Sequence, residues 1–167
     1  MKKLLSILFI AIATMAQAQD TKPTKEETQR FLNSMLSKTI GEIRYEIQPI
    51  KTQIFSENFS KYEITYSLED DNSYFNTDVI TLIKWDNFLV FNTYSEEVYD
   101  NQNLAQIMVV FSTNIKNVNT CEICKEKTTY SKQFGFLVLK DKIESAKKAI
   151  LRLAEIAKEE NKDPFGN

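Results

Sequence analysis

The stretch YEITYSLE, residues 62–69, alternates without a break: Tyr62, Ile64, Tyr66 and Leu68 interleave with Glu63, Thr65, Ser67 and Glu69. Successive side chains of an extended chain point to opposite faces, so this stretch makes a strand with one apolar and one polar side. A strand with one wet face belongs in an antiparallel sheet, because parallel sheets are covered on both faces.

The same period of two begins upstream at Glu42, where Ile43, Tyr45 and Ile47 alternate with Arg44, Glu46 and Gln48. Downstream, strands are expected at Asp78 to Trp85, Phe88 to Tyr94, Ala105 to Thr113 and Tyr130 to Leu139. The segments between them are polar and turn-like: Ser56 to Lys61, Asp70-Asp71-Asn72-Ser73, Trp85-Asp86-Asn87 and Tyr99 to Asn103.

Helical periodicity brackets this β region. Thr24-Lys25-Glu26-Glu27 is a capping box, after which Phe31, Leu32, Met35 and Leu36 fall on one face and Gly41 supplies a stop. Near the other end, Ile143, Ala146, Ile150, Leu153 and Ala157 recur at spacings of three and four, with Asp141 as the expected N-cap. Burying Ile143, Ile150 and Leu153 is worth about 5 to 9 kcal/mol at most. The opposite face carries Glu144, Lys147, Lys148, Arg152, Glu155 and Glu159, mixed in sign as a solvated face is. The fold class expected is α+β: a bent antiparallel sheet of six or seven strands, with an N-terminal helix and an amphipathic C-terminal helix packed on it.

The first 18 residues read as a secretory signal. Met1-Lys2-Lys3 is the basic n-region, Leu4 to Ala13 the apolar core and Ala16-Gln17-Ala18 the small-residue cleavage pattern. The apolar run is too short to span a bilayer, and no membrane insertion is expected after removal. Residues 19–167 are then a single domain of 149 residues in the periplasm or outside the cell. Removal takes two of the 21 basic residues and none of the 23 acidic ones, so the net charge moves from −2 to −4. That balance gives nucleic acid no electrostatic reason to bind.

The chain contains no histidine, which excludes Ser-His-Asp and Cys-His catalysis and the zinc sites that use imidazole. Gly41, Gly135 and Gly166 are isolated, so there is no Gly-rich phosphate loop. The acidic run Glu69-Asp70-Asp71-Asn72 lacks the spacing of a calcium loop and reads as a solvated turn. No catalytic residue, cofactor or metal site is expected.

TCEICK, residues 120–125, holds both cysteines. A thioredoxin-type centre needs the first Cys at a helix N-terminus, and a metal site needs two further ligands. Here Cys121 and Cys124 sit among Asn117, Asn119, Lys125 and Lys127 with no helical pattern following. In an oxidising compartment the expectation is a local disulfide.

The aromatics Tyr62, Tyr66, Trp85, Phe88, Phe91 and Tyr94 fit strand packing in a core. Tyr74 and Phe75, beside the polar turn, and Tyr99, beside Asp100-Asn101, are the candidates for an exposed contact surface.

The terminal stretch KAILRLAEIAKEENKDPFGN, with Lys162, Asp163, Pro164 and Phe165, resembles the end of a group of small exported bacterial proteins of unknown function. Several antiparallel strands followed by one amphipathic helix are also similar to the pleckstrin-homology-like architecture, where the helix plugs a bent sheet. The resemblance does not extend to that fold's lipid site, because the loop Ser56 to Lys61 offers Lys61 alone beside Glu57. A sheet wrapped on the N-terminal helix, as in cystatin-like or nuclear-transport-factor-like folds, is the alternative architecture.

The functional expectation is an exported, non-enzymatic binding or interaction module for an unknown protein or small ligand. The alternatives are a carrier of a small apolar ligand and, through the CxxC spacing, a thiol oxidoreductase.

Overall fold

The computed structural model describes residues 22–44, 48–67, 74–94, 103–122 and 125–162. The signal segment, Tyr99, Cys124 and the Lys162-Asp163-Pro164-Phe165 tail beyond Lys162 lie outside them.

Helix α1 (Lys25–Leu36) opens as its sequence requires: the Thr24 hydroxyl accepts from the Glu27 N–H and the Glu27 carboxylate accepts from the Thr24 N–H. A single 3-10 turn, Ser37–Thr39, follows, and Gly41 takes φ +88°, where a side chain would be strained. The strands are β1 (Ile43–Arg44), β2 (Gln48–Ser56), β3 (Lys61–Ser67), β4 (Phe75–Thr81), β5 (Phe88–Tyr94), β6 (Leu104–Cys121) and β7 (Lys127–Leu139), and helix α2 (Ile143–Glu160) completes the fold.

All seven strands join one antiparallel sheet. Its centre is β6, which pairs along one side with β7 and on the other with two strands in succession: β5 against Gln106–Phe111 and β4 against Lys116–Cys121. β4 and β5 are thus two halves of one broken strand. The break holds Leu82, at φ +63°, and a 3-10 turn at Trp85–Asn87. β6 breaks register opposite it, between Val110 and Ile115. Trp85 drops inward there, 5% exposed, against Phe55, Phe59 and Phe111, and its Nε1–H donates to the Phe59 carbonyl at 2.9 Å.

Both helices pack on the sheet and on each other. Leu32, Met35 and Leu36 from α1 and Ala146, Ile150 and Leu153 from α2 are buried in one core with Phe55, Tyr62, Ile107, Phe111 and Phe136.

Several details differ from the sequence expectation. β2 escapes the alternation test because a bulge at Ile50/Thr52 puts Ile50, Gln53 and Phe55 on the inward side. The strand expected from Asp78 to Trp85 starts at Phe75 and stops at Thr81, where Leu82 turns the chain. β6 runs on to Cys121 rather than ending near Thr113, so Asn117 and Asn119 are strand residues. Asp141 does not cap α2: it lies in a 3-10 turn, and the helix begins after Lys142 with no side-chain cap. Phe31 is 49% exposed instead of buried, because α1 turns Thr28, Leu32, Met35 and Leu36 inward and leaves Phe31 at the margin of that stripe.

Candidate functional site

The margin where Phe31 stands is a cleft. Pro23, Thr28 and Phe31 from the α1 side and Ser145, Ala149 and Arg152 from α2 enclose about 640 Å³, with Glu27 on one bank and Lys148 on the other. Its lining is mainly apolar, set in a charged rim.

At one end the two walls are bridged by a hydrogen bond and ion pairs. Arg152 Nε–H donates to the Pro23 carbonyl at 2.9 Å, Lys22 Nζ lies 3.3 Å from Glu155, and Lys25 Nζ lies 2.8 Å from Glu160. Arg152 also reaches Glu155 and Glu159 on its own helix. The Lys22 hydrogen bond, with Arg152 second, holds the Glu155 carboxyl below its ordinary value.

A second cavity, of about 340 Å³, opens on the sheet. Arg44, Asp78, Gln106, Asn117, Ser131 and Gln133 contribute polar groups to it. The Asn117 Oδ1 is buried with no hydrogen-bond partner, and the Arg44 guanidinium lies 3.9 Å from the centre of the Tyr66 ring. Asn119 Nδ2 is shared between Asn76 and Asp78 at 2.6 and 2.7 Å.

Of the residues singled out in the sequence, Phe75 and Cys121 come together. Pairing of β4 with β6 sets Asn76 opposite Cys121, and the Glu122 N–H donates to the Phe75 carbonyl at 3.4 Å. Cys121 is the last residue of β6 and is engaged rather than free. Tyr74 and Phe75 are half-buried, less open than the sequence suggests, because Phe75 is already within β4. The helical cleft carried no readable signal: its two walls are more than 100 residues apart, and Phe31 fits the pattern of a core residue.

Among the described residues no group of three or more His, Cys, Asp and Glu is placed to hold a metal ion, and no helix is long and apolar enough to cross a membrane. No family model, no curated protein and no solved structure matches this chain.

Proposed function

We propose that the protein is an exported, non-enzymatic binding module that engages a protein partner through the cleft between α1 and α2. The observation that carries this reading is Phe31, a large aromatic held half exposed on the wall of an apolar cleft between the two helices. Apolar surface left open within a polar rim marks a contact site. The partner contributes an apolar side chain that enters beside Phe31 and Ala149. Export is supported by the leader pattern of Met1 to Ala18.

Pull-down of the tagged protein from its own host's envelope fraction tests the reading. A partner retained by the wild type and lost with Phe31→Asp supports it, and a partner retained equally by both refutes the cleft as the site.

The cleft volume also favours a second reading, a carrier for a small apolar ligand, since about 300 to 1,000 Å³ is the usual range for such sites. Native mass spectrometry of protein from its own host distinguishes the two: a bound small molecule supports the carrier, and the bare polypeptide mass with no uptake of an apolar dye removes it.

The cysteines fit a staple within this module. Cys121 closes a strand and opens no helix, so it lacks the helix N-terminus that activates catalytic thiols. A Cys121–Cys124 disulfide at the tip of the β6–β7 hairpin follows as the proposal, with the thiol oxidoreductase reading ranked behind it.

A further inference from the structure

Unpaired strand edges invite other strands, and folded proteins cover them. On two edges of this sheet a side-chain amide takes up one residue's N–H and carbonyl as a neighbouring strand would. On β2, Asn33 of α1 donates to the Phe55 carbonyl at 2.9 Å and accepts from its N–H at 2.8 Å. On β7, Gln53 does the same to Leu137, at 2.9 and 2.8 Å.

β5 has no such cover. It pairs with β6 on one side, and among the described residues nothing donates to or accepts from its other side. Its sequence, FLVFNTY, contains no charge, no proline and no glycine, and its one irregularity, a bulge between Phe88 and Val90, leaves Val90 to Tyr94 in regular register. Leu89, Val90 and Tyr94 are exposed on it, Val90 at 49% and Tyr94 at 46%.

We propose that β5 is the contact strand for a second copy of this chain, the two β5 strands pairing antiparallel about a two-fold axis at Asn92. Self-pairing is the occupant the strand itself specifies. An isologous contact sets each residue against its own kind or its mirror position, and a strand without charges meets no like charge across the axis. Centred on Asn92, the register opposes the two Asn92 side chains. Val90 faces Tyr94 of the second copy, an aromatic against a β-branched residue, and Phe91 faces Thr93. Both exposed apolar side chains on that face, Val90 and Tyr94, find a partner twice, and the two sheets become one.

Sedimentation velocity of the purified protein from about 1 to 100 μM is the test, with Asn92→Lys, Tyr94→Lys and, as a control on the outer face of α2, Leu151→Lys. The wild type and Leu151→Lys are expected to dimerise, and each β5 variant to weaken dimerisation about tenfold or more, since the axis places every introduced charge in both strands. A wild type that stays monomeric at 100 μM overturns the proposal, even if it captures a strand of some other protein. So does dimerisation that survives Asn92→Lys in folded protein. Should the β5 variants misfold, amide exchange on the wild type decides: protection of Leu89 to Tyr94 that grows with concentration supports the pairing, and protection independent of concentration overturns it.

Discussion

The Gln53 side chain and the Leu137 backbone, 84 residues apart, exchange two hydrogen bonds within a buried site. β2 and β7 lie four places apart in the strand order, so this contact exists only because the sheet curls until its edge meets its own face. The same amide accepts from the Tyr62 hydroxyl at 2.5 Å and donates to the Thr39 hydroxyl at 2.9 Å. All of its hydrogen-bonding capacity is used.

Gln53→Leu keeps the volume and removes every one of these bonds. It leaves the Leu137 N–H and carbonyl buried without the Gln53 amide. Each orphaned group costs about 1 to 3 kcal/mol, so the two together predict a loss of about 2 to 6 kcal/mol. Urea unfolding followed by Trp85 fluorescence measures it, and a loss under about 1 kcal/mol would show that the edge of β7 finds other partners.

Trp85 is the chain's one tryptophan, buried in the break between β4 and β5. Its emission should be blue-shifted in the folded protein and move to the red on unfolding. Trp85→Phe removes the donor to the Phe59 carbonyl and part of the ring, with an expected cost of about 1 to 3 kcal/mol. Circular dichroism melting replaces fluorescence as the readout for that variant.

Phe31→Asp should leave the melting temperature within about 2 °C of the wild type, because the site is half exposed and substitutions there stay near ±0.5 kcal/mol. A large loss of stability would instead make Phe31 a core residue.

Glu155 titrates below its ordinary value of 4.5 because Lys22 and Arg152 favour its charged form. A carboxyl depressed in the folded state adds stability above the unfolded value, and that stability is lost as the pH falls through the folded value. Wild type and Glu155→Gln should therefore differ in melting temperature at pH 7 by a small, salt-sensitive margin that shrinks as the pH falls below 4.5. A margin that does not shrink on acidification would assign the difference to something other than this charge.

Replacing Cys121 and Cys124 with serine should leave the fold intact and lower stability by about 2 kcal/mol or less, because so short a ring removes little chain entropy. Alkylation without reduction, followed by mass spectrometry, checks the bond: two added groups would mean free thiols and remove the staple.

The sequence was informative wherever a pattern repeats. The alternation of Tyr62 to Ser67 appears as β3, and Ala146, Ile150 and Leu153 do face the core. It was silent where one residue breaks the period. The extra residue in β2 conceals Gln53 as an inward position, and a buried glutamine reads as a surface residue until its partner, 84 positions away, is known. Leu82 at positive φ likewise ends β4 without a glycine to announce it. Phe31 misled for the opposite reason: it obeys the helical pattern, and only the placement of α2 shows that its side of the stripe faces a cleft.

The ion pairs joining Lys22 and Lys25 to Glu155 and Glu160 span 133 and 135 residues. A ribosome delivers the chain from its N-terminus, so α1 emerges first and waits for almost the whole polypeptide before these pairs can form. Until α2 follows, the apolar stripe of α1 has only part of its final seat. The two helices therefore lock together only once the far end of the chain has arrived.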